Sequence, residues 1–372
     1  MDLSIVQILI LGVALFFLVI LIAYFLYFFT GFSKALKTNS NSSKLPVSVI
    51  IAARNERKNL EQYLPLILDQ EYSEFEVVVV NDGSHDGTKG FLEELDAKYD
   101  RLKVVTLEID ERFQKGKKFA LTMGIKAAQY EHLLFTDADC YPDSKHWITH
   151  MTSQLESKEI VLGISPLVVK NNILGSIISY ETLHTSMQYV GYARKEKTYM
   201  GVGRNLTYTK ELFFKNKGFA SHQHILSGDD DLFIQQAASK SNTTVCLSPE
   251  SFMYSPAPIS WKQWRHQKLR HLSTGKEYKP RFKRLLGTYS FAHMMLYSSV
   301  ILFMVLYPSI WYLGFAILGF KWLIQWATII KPAQLFAAKK VAYALPYYDI
   351  LYTLFLFFFG IIGIFIKPKT WN

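Results

Sequence analysis

The sequence predicts a mixed α/β domain with a mostly parallel sheet, held between apolar helices at the two ends of the chain. Three observations carry that expectation. From Pro46 onward, short β-branched apolar runs alternate with helical stretches, the pattern of buried parallel strands joined by crossover helices. Residues 5–29 are apolar except for Gln7, and the chain turns apolar again after residue 288. The mean hydropathy of +0.10 is therefore an average over two unlike parts.

At 1.5 Å per residue the opening run is long enough to cross a hydrocarbon core of about 30 Å. A cleaved signal peptide would need a basic start, a shorter apolar stretch and a small-residue cleavage site. Met1 and Asp2 offer no positive charge and residues 24–29 are bulky, so an uncleaved anchor is expected over 1–30. Lys34 and Lys37 follow it. The bias of cations toward the cytoplasm then places the next domain on the cytoplasmic face of an inner (cell) membrane. A polar linker fills 31–45.

Strands are expected at 47–52, 75–80, 103–107 and 132–135, and helices at 56–68, 88–99 and 117–128. That order gives a doubly wound sheet with ligands at the C-terminal ends of its strands. Residues 160–245 mix strand and helix less regularly, and the domain is taken to end at 258. Residues 259–285 form a basic juxtamembrane segment. From Trp261 to Arg284 it holds nine Lys/Arg against the single acid Glu277, most of the net charge of +10. Trp261 and Trp264 lie in the same stretch, and a basic, Trp-bearing segment beside a span suits anionic membrane lipids or a phosphate-rich ligand better than nucleic acid. Residues 286–372 are the C-terminal membrane region. Its apolar runs are 289–306, 310–330 and 350–366, with a hairpin turn at Tyr307-Pro308-Ser309. Lys321 lies inside the second run and is expected to face other helices or to snorkel. Four spans would leave Lys367 and Lys369 outside, against the same charge bias, unless the last run is re-entrant.

With 50% hydrophobic and 19% charged residues, the 372-residue chain is too apolar for a disordered protein. Two cysteines, Cys140 and Cys246, far apart and in no CxxC pattern, exclude a disulfide-stapled domain and a structural zinc site. No P-loop or GxGxxG is present, against a kinase or a dehydrogenase.

Four short patterns carry candidate chemistry. Ala52-Ala53-Arg54-Asn55-Glu56 closes the first strand and opens a helix. Asn81-Asp82-Gly83-Ser84 follows the second strand; Asp82 there can accept the imide N–H of a uracil ring, or the segment is an Asx turn with Ser84 or Asp86 capping the next helix. In Asp137-Ala138-Asp139 two carboxylates past a buried strand point to one side if the backbone stays extended, and can share a divalent ion with substrate phosphates. Gly228-Asp229-Asp230-Asp231 crowds three acids, as at a helix N-terminus beginning at about Gly228, and one of them near the first pair can act as a general base. Further on, Gln267 and Arg270 share a helix face, and an arginine fork suits a pyrophosphate.

Together these patterns make the chain resemble the membrane-bound glycosyltransferases of family 2. The matching pieces, in the family's order, are VSVIIAARNE, VVVVNDGS, GKKFALTMG, TDAD, SGDDDLF and QKLRH, from Pro46 to about Ser273. The resemblance implies a GT-A fold (Rossmann-like, mostly parallel sheet) and an inverting transfer from a nucleotide-diphosphate sugar, chiefly a UDP-sugar, to a lipid-linked or glycan acceptor. It implies nucleotide-sugar contacts at Ala53, Arg54, Glu56, Asp82, Lys117, Asp137, Gln267, Arg270 and His271. Asp137 and Asp139 would bind Mg²⁺ or Mn²⁺. Asp229, in register with Leu232, would be the base, with Asp230 the alternative, and Asp231 would support the helix or a neighbouring basic group. Gly203, Arg204 and Asn205 match an acceptor-side loop. His271 replaces the tryptophan of the family's QxxRW motif, which favours single-sugar transfer over processive export. A degenerate member serving as a membrane scaffold would have lost the metal or base acids, and both stand. A nucleotidyltransferase would also use metal carboxylates but leaves the basic QxxR segment without a role.

Overall fold

The computed structural model describes residues 3–35, 45–108, 116–225 and 227–365. Most of the expected linker, Lys37, Lys367 and Lys369 lie outside the described residues.

Seven strands build the main sheet: β1 (Val47–Ala53), β2 (Phe75–Asp82), β3 (Leu102–Leu107), β4 (His132–Asp137), β6 (Ile160–Leu162), β8 (Leu206–Thr209) and β9 (Thr243–Val245). Their order is β3-β2-β1-β4-β8-β6-β9. The first four run parallel, with Val47 opposite Phe75 and His132, as the β-branched runs predict. β8 enters antiparallel to both β4 and β6, so the sheet is mostly and not wholly parallel. A small second sheet joins β5 (Tyr141–Pro142), β7 (Leu167–Val168) and β10 (Met253–Pro256) beside the end of β4.

Every residue of β1 and β2 is buried, because helices cover both faces. On one face Val47, Val49, Ile51, Val77 and Val79 pack against α3 (Arg57–Leu68), α4 (Thr88–Asp96) and α6 (Trp147–Thr152). On the other, Ile50, Ala52, Val78 and Val80 pack against α5 (Lys117–Ala127), in an apolar cluster that continues into the membrane helices. Burying each such Val or Ile contributes about 1.5–3 kcal/mol. The α/β domain and the apolar helices thus share one core.

The piece that joins them is α7 (Ile173–Arg194), buried along most of its length. Tyr189 Oη donates to Gly163 C=O at the sheet (2.7 Å), while His184 Nε2 meets Tyr289 Oη among the apolar helices (2.7 Å). Between α7 and β9 lie α8 (Lys210–Lys215) and α9 (Asp231–Ala237).

At the N-terminus, α1 (Ile5–Tyr24) passes through a π-helical turn at Phe25–Phe29 into α2 (Thr30–Ala35). It lies along α11 (Pro280–Leu306), with Tyr24 Oη donating to Leu285 C=O (2.7 Å). α10 (Trp261–Gly275) precedes α11, and a 3₁₀ turn at Pro308–Ile310 then leads into α12 (Trp311–Leu335), the expected hairpin. α12 runs past the expected end at 330 and through Pro332. α13 (Lys339–Tyr343) and α14 (Leu345–Phe365) close the chain. Among the described residues three helices are long and apolar enough to cross a membrane, Ile5–Phe32, Pro280–Leu306 and Pro308–Leu335; Leu345–Phe359 is a shorter apolar helix. Lys321 turns inward, as expected of an intramembrane lysine, and pairs with the buried Asp349 of α14. Asp349 also accepts from Tyr297 Oη and from Gln325 Nε2 (2.9 Å), and Gln325 in turn donates to Tyr180 Oη of α7 (3.1 Å).

Candidate active site

The site assembles where β4 ends, α5 begins and the loop before α9 turns. β4 stops at Asp137, and Cys140 N–H donates to Asp137 C=O (3.1 Å), closing a turn that contains Asp139. The acid pair therefore spans a strand end and a turn, and not extended backbone as the sequence suggested. The turn still brings the two carboxylates together: donor atoms of Asp137, Asp139 and Cys140 all lie within 4.8 Å of one another. Burial, then the Asp137 charge, pushes the Asp139 carboxyl up. Two crowded carboxylates of this kind suit a hard divalent cation such as Mg²⁺ or Mn²⁺. Ser255 Oγ orients Asp139 from β10 at 3.4 Å.

Lys117, the first residue of α5, bridges two of the expected acids. Its Nζ lies 2.8 Å from Asp137 Oδ1 and 3.1 Å from Asp229 Oδ2. Burial opposes the charge on Lys117, but the two carboxylates override it and hold the ammonium above its ordinary range. The reciprocal holds for Asp229: burial alone would raise its carboxyl, and Lys117 brings it below the usual value.

The three consecutive acids take three roles. Gly228 turns the chain at φ +89°, a region open to glycine. α9 starts at Asp231 and not near Gly228. The ion pair with Lys117, and not the helix N-terminus, thus keeps Asp229 ionised. Asp230 accepts from Gly203 N–H (2.9 Å) and Asp231 N–H (2.8 Å). A Cβ at Gly203 would lie 3.3 Å from Asp230 Oδ2, so this approach favours glycine. Burial, then Asp229, raises the Asp230 carboxyl. Asp231 accepts from Leu232 N–H (2.8 Å) and from Tyr278 Oη. Of the two supports expected, the helix is the one present, through Leu232 N–H at the start of α9; the further partner is Tyr278 from the segment after α10. Burial and Asp230 push the Asp231 carboxyl up to about 8.

A cavity of about 640 Å³ opens from these acids toward the membrane helices. Its lining includes Lys117, Asp137, Asp139 and Asp229, then Gln267, Arg270 and His271 of α10, and Leu286, Tyr289, Tyr352 and Phe355 of the apolar helices. Gly203 and Arg204 also line it, and Arg204 Nε is fixed by Ser165 Oγ (3.0 Å). Asn205 is fully buried, its amide donating to Ile164 and Ser251 carbonyls (2.8 and 2.7 Å) and accepting from Trp147 Nε1 (3.0 Å). It anchors the loop of Gly203 and Arg204 from within the core instead of lining the cavity.

Ala53, Arg54, Glu56 and Asp82 lie at or just beyond the C-terminal ends of β1 and β2, next to the end of β4, where Ala52 pairs with Asp137. Ala53 is packed in the core, Asp82 ends β2 with Arg54 Nη1 3.8 Å away, and Glu56 accepts from Asn59 (2.6 Å). Burial, opposed by Asn59 and reinforced by Asp139 and Asp137, raises the Glu56 carboxyl. The Asx-turn reading of the Asn81–Ser84 segment holds, with Asp86 as the capping residue. Asn81 Oδ1 accepts from Ser84 N–H (3.2 Å), an Asx turn, while Asp86 accepts from Arg57 N–H (3.0 Å) and Thr88 N–H (3.1 Å) at the starts of two helices.

Sequence reasoning missed Glu181, Ser165 and Tyr278. Glu181 of α7 pairs with Lys268 of α10 and accepts from Trp264 Nε1 (3.3 Å). A lone acid in a stretch otherwise apolar or hydroxylic was the available signal.

Comparison with known proteins agrees with this geometry. The sequence profile "Glycosyl transferase family 2" matches residues 48–213. The chain is 31% identical over 161 residues to the poly-β-1,6-N-acetyl-D-glucosamine synthase of Staphylococcus epidermidis, covering 42% of this chain and 38% of that protein. It is 35% identical over 124 residues to glycosyltransferase AglE of Haloferax volcanii, covering 32% and 39%. The chain thus spans about two fifths of the length of these curated relatives. Among solved structures, the mannosyltransferase PcManGT of Pyrobaculum calidifontis, in complex with GDP-Man and Mn²⁺, superposes with a TM-score of 0.55 at 17% identity, covering 91% of this chain and 99% of that one. The fold is that of the GT-A glycosyltransferases.

Proposed function

Because this chain belongs to glycosyl transferase family 2 through its domain at residues 48–213, we propose that it moves a sugar from a nucleotide-diphosphate sugar, chiefly a UDP-sugar, to a lipid-linked or glycan acceptor at the cytoplasmic face of a cell membrane. The observation that carries the reading is the cluster Asp137–Lys117–Asp229 in the wall of a cavity that continues to the membrane helices. Asp229 is the one acid of its trio in contact with Lys117, and its ionised carboxylate accepts the proton of the acceptor hydroxyl as that oxygen attacks the anomeric carbon. Attack from the face opposite the nucleotide inverts the configuration.

A Mg²⁺ or Mn²⁺ held by Asp137 and Asp139 would supply positive charge to the donor diphosphate. Arg270 adds its guanidinium on the cavity side, and Gln267 and His271 line the same wall, so the departing phosphates leave into a cationic environment. Asp82 reads the base at the end of β2, with Arg54 and Glu56 beside it. Gly203 and Arg204 bound the acceptor side. The part of the cavity lined by Leu286, Tyr352 and Phe355 suits an acceptor delivered from the membrane.

The test is nucleotide release in membranes containing the protein, with a panel of UDP- and GDP-sugars, with and without a lipid extract. Release stimulated by one donor and by the extract supports the reading; no donor-dependent release under any of these conditions refutes it.

A further inference from the structure

Lys118, next to the bridging lysine, has no place in the reaction described so far. Its side chain is 3% exposed and meets no carboxylate at ion-pair distance among the described residues. Instead Nζ donates to His222 C=O (2.6 Å) and Ile225 C=O (3.0 Å), two carbonyls in the segment leading to Gly228 and the acids. A buried ammonium satisfied by neutral carbonyls is costly, and burial pushes Lys118 down to about 8. Asp229, Asp231 and Asp230, in that order, favour its charge. The same loop is fixed from the other side by Ser227 Oγ against Thr274 Oγ1 (2.6 Å) and by Tyr278 on Asp231.

We propose that Lys118 is a positioning residue for transfer: its ammonium ties down the His222 and Ile225 carbonyls and so fixes where the loop presents the Asp229 carboxylate. The inference rests on the reading of Asp229 as the base. The loop has two anchors of different kinds. Thr274 and Tyr278 belong to the α10 side of the cavity, Lys118 to the α/β domain. Losing the second frees the segment before Gly228 from α5, so that on the α/β side the acids keep only their own contacts to Lys117 and Gly203. A displacement of about 1 Å in a catalytic group can cost about 10²-fold in rate.

The test compares Lys118→Met, Lys118→Gln and Lys118→Arg in the full-length protein, with Asp229→Asn as reference. Glutamine keeps an N–H donor without charge; arginine keeps both. Lys118→Met is expected to lower kcat by about 10–100-fold with the donor KM within about twofold. Glutamine should recover part of that loss and arginine most of it. Wild-type kcat in Lys118→Met overturns the proposal. So does a parallel fall in kcat, nucleotide binding and melting temperature in all three variants, the mark of a merely structural lysine. An active Asp229→Asn would instead defeat the assignment of the base, a result distinct from either.

Discussion

Replacing Lys117 by methionine removes the cation between Asp137 and Asp229 while keeping a side chain of similar length. At 2.8 and 3.1 Å, and an effective dielectric of about 20, each contact is worth roughly 5–6 kcal/mol before desolvation is counted. Desolvation offsets most of that, but leaving the half-buried Asp137 and Asp229 carboxylates facing each other unpaired costs about 3 kcal/mol, the low end for a broken buried pair. A divalent ion at Asp137 and Asp139 restores positive charge to the same cluster, so it should stabilise the variant more than the wild type. Thermal unfolding of the detergent-solubilised protein, in EDTA and across a Mn²⁺ titration, reads both effects. In EDTA the variant should melt earlier by roughly 6 °C or more, taking about 2–4 °C per kcal/mol for a domain of this size. Saturating Mn²⁺ should recover much of the difference, and the variant should bind Mn²⁺ at least about tenfold more tightly, since each 1.4 kcal/mol of relieved repulsion is a factor of ten. Equal melting in EDTA together with equal Mn²⁺ affinity would refute the bridge as an energetic feature of the site.

Three further outcomes are expected. Asp231 is held up to about 8 in the folded protein, so the folded state holds its proton while the unfolded chain loses it near the ordinary carboxylate value. Its contribution is complete at low pH and is lost as pH rises toward 8; Asp231→Asn, which still accepts from Tyr278, should flatten that decline in a pH series of melting temperatures, and an unchanged slope would contradict the assignment. Asp82→Ala should weaken UDP binding by calorimetry without lowering the melting temperature by more than a few degrees, and equal UDP affinity would remove Asp82 from the base. A cysteine placed at the exposed Lys89 should resist an impermeant thiol reagent on intact cells, against the low background of the buried Cys140 and Cys246; ready labelling would put the α/β domain on the outer face.

β1 and β2 were legible because each is a β-branched run buried on both faces, which leaves no other periodicity to compete, and β3 and β4 as shorter apolar runs between helical stretches. β6, β8 and β9 are three or four residues long and give no such signal. α7 is buried around most of its circumference, so no amphipathic stripe marks it. At the site, Asp137, Asp139, Lys117 and Asp229 were legible from motif order, and the structure brings all four into one cluster. The acid trio was harder: its division of labour depends on where α9 begins, and residues 228–231 fit a helix start at either end. Glu181 with Lys268 and Lys118 with His222 could not be read at all. Each pair is separated by more than eighty residues and is joined only by tertiary packing. Asn205 was misplaced for the same reason, since its partners Trp147 and Ser251 come from distant elements.

The most direct test of the account is donor turnover by the purified wild type and Asp229→Asn, in Mn²⁺, with the donor selected from the UDP- and GDP-sugar panel and a lipid extract as acceptor source. The wild type should release nucleotide and yield a product of inverted anomeric configuration. Asp229→Asn should bind the donor with similar affinity and turn it over about 10²–10⁴-fold more slowly, the range for loss of a general base. Equal turnover by the two proteins, or a product that retains the donor's configuration, would contradict it.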